Sequence, residues 1–431
     1  MAVEESAAAA RVAAGSRVRL RSLRQRPGGD GWVIGRIETG DFITVPDVAH
    51  RVIALLGEGS TVDEVSGRLR AETGTSFAVA DFVTALDELG FVAAVDDHAR
   101  ADKAHPRPSL SWLRPGHVRW LTHPLVLAVV AGFAVAAVVM LALHPALLPS
   151  SRVLVWSRRS GLVLAVNAAI AWTLILVHEI AHLAVARAVG APARITLGTR
   201  LQFLAAQTDV SGVWAAPRRT RMTVYLAGMG IDVCIAGGCL LIAGLAGLHG
   251  LALHLLAVAA AETLLGLVVQ FMVFMRTDVY FVLQDLTGCA NLYAEGSAYL
   301  RYLGGRATRP FRRASTPSAD PSQGYPAARR RAVRLYSALL LTGTAICLGI
   351  EFAVSLPALI TLIGHAVSEI GTTAAADADG SAALAILLGF QAVWVSRWRH
   401  GHWHQVRSMA RQYLPKGKEV RRHGRHLPYV R

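Results

Sequence analysis

Cysteine is scarce in this chain, with four thiols among 431 residues. Cys234, Cys239 and Cys347 fall inside apolar runs and Cys289 just beyond another, so neither a disulfide framework nor a Cys-rich metal knuckle is expected. Charge is scarce as well. Only 17% of residues are Asp, Glu, Lys or Arg, against 53% hydrophobic, which excludes an ordinary soluble globule. The acidic side chains are the rarer, 29 against 44 basic, and the formal charge is +15. That surplus invites a nucleic-acid reading. However, Lys and Arg lie between or after the apolar runs, where cytoplasmic loops carry them, with neither a reading motif nor a single basic face. No nucleic-acid partner is expected. Also missing is a basic segment leading into an apolar core. The chain opens Met1-Ala2-Val3-Glu4-Glu5, which argues against a cleaved signal peptide and places the first domain in the cytosol.

What is present divides in two, since the first 120 residues have mixed composition and much of the rest is apolar. The expected class is a polytopic α-helical membrane protein with an N-terminal α+β, winged-helix-like cytosolic domain. Its parts are a disordered N-terminus (1–16), the small domain (17–97), a linker (98–120), a transmembrane domain (121–396) and a basic cytosolic tail (397–431). In the small domain Trp32-Val33-Ile34 and Phe42-Ile43-Thr44-Val45 read as strands, with turn-forming Pro27-Gly28-Gly29-Asp30-Gly31 ahead of them. Pro46 and Asp47 open a first helix. Ser60 offers the N-cap of a second, with Asp63 three residues on, and Asp81-Phe82 opens a third that stops before Gly90. Phe91 to Val95 supplies a closing strand.

This order, with Asp41-Phe42-Ile43-Thr44-Val45, Gly57-Glu58-Gly59-Ser60-Thr61-Val62-Asp63-Glu64-Val65 and Leu86-Asp87-Glu88-Leu89-Gly90-Phe91-Val92, resembles the PqqD-like domains. The resemblance implies a domain that presents a sheet edge to the leader of a ribosomally made, modified peptide. A generic winged-helix domain without a ligand is the plainer alternative.

Six apolar segments follow, most of them near the ~20 residues that cross a hydrocarbon core. They are Leu125 to Leu143, Gly161 to Ala188, Val224 to Leu245, Leu251 to Met275, Tyr336 to Ile363 and Ala382 to Val395. A lipid bilayer is therefore the expected surrounding. Loops at Gly247 to Gly250 and His365 to Gly380 lack Lys and Arg, whereas 187–222, 276–335 and 397–431 are rich in Arg. Both termini are expected in the cytosol, in a multi-pass arrangement in the cell membrane. The loop with Arg152, Arg158 and Arg159 dissents. In the tail, Arg421, Arg422, His423, Arg425 and His426 suit lipid headgroups or plain solvation.

The second segment contains His178-Glu179-Ile180-Ala181-His182. A charged side chain at the centre of a membrane helix costs about 2.5–3.5 kcal/mol on insertion scales, so the motif calls for a function. Four residues apart on a helix, His178 and His182 share a face and can share a metal ion, and the spacing fits Zn2+. Glu179, rotated to one side, suits a general base that takes a proton from water and returns it to a leaving amine. A helix contact for the histidines and an intramembrane partner for Glu179 are the non-catalytic alternatives.

A catalytic zinc needs a third protein ligand. Asp278 lies at the cytosolic end of the fourth segment, at a depth comparable with the His pair. Asp232, Glu262 and Asp285 are alternatives; each could ligate or hold a metal-bound imidazole, the latter being preferred for Asp232. Glu351 is read as a helix–helix hydrogen bond.

The His178–His182 motif stands with Thr208-Asp209-Val210-Ser211-Gly212-Val213-Trp214, Arg218 and Arg219, Tyr225-Leu226-Ala227-Gly228, and Asp278-Val279-Tyr280-Phe281-Val282-Leu283-Gln284-Asp285-Leu286. Together they resemble the site-2 protease family, in its bacterial branch of peptide zinc metalloproteases, over roughly 160–300. The resemblance implies Asp278 as third ligand, a membrane protease fold, and a cytosol-facing segment at 190–222 that handles an unwinding substrate. The chain departs from the pattern where Val279 replaces a usual Gly, and where Gln270 and Val273 stand for a common Asn and Pro. Expected partners are a peptide or membrane-protein substrate, with a leader peptide on the N-terminal domain. An inactive membrane chaperone, immunity or export partner is the alternative that Val279 and Gln270 motivate, and regulated cleavage of a signalling protein is another. A transporter is disfavoured because no repeated broken helices are visible.

Overall fold

The computed structural model describes residues 12–28, 31–102, 108–145, 151–154, 156–157, 159–200, 203–246, 249–289, 291–308, 319–350, 352, 356–371 and 373–413. Contacts divide the chain into two compact units. The first is Met1–Trp112 with Gly190–Arg194 and Val210–Arg221, and the second is Leu113–Val189, Ile195–Asp209 and Met222–Arg431.

The first unit runs β1 (Val18–Leu20), β2 (Arg24–Gly28), β3 (Gly31–Gly35), β4 (Phe42–Val45), α1 (Asp47–Gly57), α2 (Val62–Thr73), α3 (Val79–Glu88), β5 (Val92–Val95) and β6 (His98–Ala99). Two antiparallel sheets form, β1-β5-β6 and β2-β3-β4. Each helix turns one apolar stripe inward, and Val52, Leu55, Leu56, Leu69, Val83 and Leu86 close on Ile34, Phe91 and Val95 in one core. The cap of α2 is Thr61 rather than Ser60. Thr61 Oγ1 accepts the Glu64 N–H and the Glu64 carboxylate accepts the Thr61 N–H, a reciprocal pair that needs the longer Glu64 where Asp63 had been expected. Pro27 and Gly28 do not turn. They pair with Trp32 and Gly31 in β2, an edge strand where the missing proline N–H leaves no ladder bond unmade. The third helix starts at Val79, ahead of Asp81. Two short segments from far along the chain complete this unit: Arg26 Nε donates to the Trp214 carbonyl at 3.0 Å, and Ser211–Ala215 packs on β2 and β3.

The second unit runs α4 (Pro115–Val118), α5 (Pro124–Leu143), α6 (Ser160–Ala188), β7 (Arg194–Arg200, from Ile195 on), β8 (Phe203–Asp209), α7 (Arg218–Tyr225, from Met222 on, its first half belonging to the first unit), α8 (Ala227–Leu245), α9 (Leu251–Gln270), α10 (Asp278–Thr287), α11 (Leu292–Thr308), α12 (Ala327–Ile350), α13 (Leu356–Glu369) and α14 (Ala374–Tyr413). Six helices among the described residues are long and apolar enough to cross a membrane: α5, α6, α8, α9, Ala327–Gly349 of α12 and Ala376–Arg399 of α14. Six such helices beside a small N-terminal sheet region fit a polytopic helical membrane protein. On α5, Leu127 is 74% exposed and Val138 68%, which suits lipid and not water.

Four of the six segments differ from the hydropathy reading. Tyr336 to Ile363 is not one helix: α12 ends at Ile350 and α13 starts at Leu356, with Pro357 in its first turn, a place where proline's missing N–H is harmless. Upstream, α12 extends back to Ala327, and Arg329 meets Glu295 of α11 at 2.8 Å. The third segment breaks at Leu226, between α7 and α8, and the fourth ends at Gln270. Finally, α14 is far longer than Ala382 to Val395, because its polar ends carry no hydropathy signal. Glu351 and the Arg421–His426 cluster lie outside the described residues.

Candidate metal centre

His178 and His182 lie one turn apart on α6, both buried. The helix carries them as spacing requires. Asp278 is brought to them by the chain reversal after α9: Thr277 Oγ1 donates to the Gln270 carbonyl, Arg276 takes a left-handed conformation (φ 58°), and α10 begins at Asp278. Its Oδ2 lies 3.0 Å from His178 Nε2 and 3.1 Å from His182 Nε2, and the two Nε2 atoms are 3.1 Å apart.

The outer nitrogens decide what those inner atoms are. His178 Nδ1 is 2.7 Å from Asp232 Oδ2, and His182 Nδ1 is 2.8 Å from the Val224 carbonyl oxygen. A carbonyl only accepts, so His182 carries its proton on Nδ1; Asp232 sets the same tautomer for His178. Both Nε2 atoms then face each other and Asp278 with bare lone pairs. Asp278 brings a carboxylate oxygen to the same point as a third acceptor. Three acceptors within 3.1 Å repel one another unless a cation lies among them, and a single shared proton satisfies one contact, not three. Ligands of a tetrahedral ion with ~2 Å bonds stand ~3.3 Å apart, close to the separations here. These three side chains can hold a metal ion.

Gly228 keeps the space open. A Cβ there would overlap His178 Nε2 and Cε1 and His182 Nε2. Gln270 comes to the site from the end of α9: its Oε1 accepts the Asp278 N–H at 3.1 Å, and its Nε2 lies 3.5 Å from His178 Nε2. Val279 stands in the first turn of α10, where helical backbone suits it. Glu179 is buried beside the pair, and its Oε2 receives Thr208 Oγ1 at 2.6 Å.

Asp232 therefore contacts an imidazole rather than completing the trio. Glu262, half-buried on α9, and Asp285, further along α10, are not in the cluster. The roles of Gly228 and Thr208 have no composition signal, and only their place in the resembling motifs marked them; nothing in the sequence marked the Val224 carbonyl. No family model, curated protein or solved structure matches the chain.

Proposed function

We propose that the protein is a zinc metalloendopeptidase of the site-2 protease type, with His178, His182 and Asp278 as ligands and Glu179 as general base. The observation that carries this reading is the convergence of three acceptors beside a glutamate in a membrane-length helix. Bound zinc supplies a Lewis acid that polarises the scissile carbonyl and brings the pKa of a water to about 7. Glu179 takes the water's proton and gives it to the leaving amine, so that one peptide bond breaks without a covalent intermediate. Asp232 and the Val224 carbonyl keep both imidazoles in the ligating tautomer.

A helix hides its carbonyls in internal hydrogen bonds, so the substrate must be extended. The two-stranded β7-β8 sheet leaves outer strand edges, and β8 packs on α6. In the first unit, a groove of about 670 Å³ runs along β1, with Ile53 and Leu56 among its apolar lining and Arg17, Arg19 and Arg21 along it. It supports capture there of a peptide such as the leader of a modified precursor, with cleavage in maturation or export, and with both termini in the cytosol.

The test is zinc per chain in detergent-purified protein. Wild type is expected to hold about one zinc, His178→Ala and Asp278→Ala to lose it, and Glu179→Ala to keep it while losing cleavage. A folded wild-type protein that is free of zinc and cannot be reloaded overturns the reading in favour of a non-catalytic peptide chaperone.

A further inference from the structure

A carboxylate that takes a proton must be aimed, because the terminal torsion of glutamate is broad and lets the two oxygens turn freely. Alternation along β8 sends Gln207 and Asp209 outward, both exposed, and Thr208 to the opposite face, against α6. Thr208 Oγ1 lies 2.6 Å from Glu179 Oε2 and 3.0 Å from the Glu179 carbonyl oxygen. The hydroxyl has one proton to give, and the shorter contact, to a carboxylate, is the stronger. Among the described residues, no protein donor reaches Oε1.

We propose that Thr208 is a positioning residue for Glu179: it donates to Oε2, stops the carboxylate from turning, and leaves Oε1 as the oxygen that receives a proton. The inference rests on the peptidase reading and adds the residue that aims its base. Threonine suits the task because branching at Cβ restricts its first torsion, so that a strand packed on α6 presents the hydroxyl in one direction. A merely structural role, tying β8 to α6 through the Glu179 carbonyl, makes a different prediction.

The experiment is a double-mutant cycle on the full chain in detergent, loaded with zinc, with zinc per chain measured for every variant. The probe is acetohydroxamate, which chelates the ion and passes its proton to a neighbouring carboxylate; binding is followed by calorimetry. Thr208→Val is expected to weaken binding about tenfold when Glu179 is present and not at all in the Glu179→Ala background, with zinc retained. Thr208→Ser, which keeps the hydroxyl, restores binding to near the wild-type level. Equal weakening in both backgrounds, or none in either, overturns the proposal. If Glu179→Ala alone leaves acetohydroxamate affinity unchanged in a zinc-loaded protein, the assignment of the base falls first and Thr208's role with it.

Discussion

Asp379 caps the helix that begins at Ser160: its carboxylate receives the N–H of Gly161 at 3.0 Å and of Leu162 at 3.1 Å, so α14 satisfies the open end of α6. Gly161 permits the approach, since a Cβ there would overlap the Asp379 carbonyl oxygen. Trp172 of α6 stacks on Phe390 of α14 further along, with ring centroids 6.1 Å apart. A negative group at a helix N-terminus also complements its dipole. Asp379→Ala should therefore cost about 1 kcal/mol or somewhat more. The check is thermal unfolding in detergent, with a lower midpoint and unchanged zinc content expected. An unchanged midpoint would remove the capping role.

Gly228→Ala tests the space beside the imidazoles. The added methyl would meet three histidine ring atoms, and α6 and α8 pack together here, so neither ring can retreat without losing its Nδ1 partner. Zinc content should drop at least about tenfold while the helical circular dichroism stays at the wild-type level. Retention of one tightly held zinc per chain would show that the rings have room.

Asp232 tests the outer hydrogen bond. Asp232→Ala removes the acceptor for His178 Nδ1 and should lower zinc affinity by about 10–100-fold. Asp232→Asn keeps an oxygen that can accept and should lose less. Competition with a fluorescent chelator ranks the three; equal affinities would mean that the contact does not steer the ring.

The N-terminal unit has its own pH signature. The backbone N–H of Thr61 holds the Glu64 carboxyl below its ordinary value, Arg51 does so for Glu72, and Ser16 with the Arg17 backbone does so for Asp96. A carboxyl depressed in the folded state contributes stability that is full above its unfolded pKa and is lost as pH falls through the folded value. Amide exchange protection in α2 should therefore hold from neutrality down to about pH 4 and decline below it. Glu64→Gln should flatten that decline; an identical profile in the variant counts against the capping box as its source.

How much of this was legible beforehand depended on which signal each residue carries. His178 and His182 announced themselves because a helix of fixed pitch must bring residues four apart together, and apolar runs gave α5 and α6 to within one residue. Asp278 was placed by depth and resemblance, yet what brings it home is the turn at Arg276 and the Gln270–Thr277 bond, features without periodicity. Gln270 looked like a defect in a pattern; in the fold its side chain holds the Asp278 backbone. The strands β1 and β6 were missed because three and two residues are too few for alternation to register. Asp379 was missed because capping between distant helices depends on packing alone.

Ser211–Ala215 covers part of β2 and β3, and this carries a consequence for the order of manufacture. A ribosome releases the chain from its N-terminus, and at about 5–20 residues per second the roughly 100 residues after Trp112 take about 5–20 s. During that interval a nascent first unit has its sheets but lacks one wall, with Arg26 still waiting for the Trp214 carbonyl. The unit is finished only after α5 and α6 have been synthesised, so the N-terminal unit and the helix bearing the histidines mature together rather than in sequence.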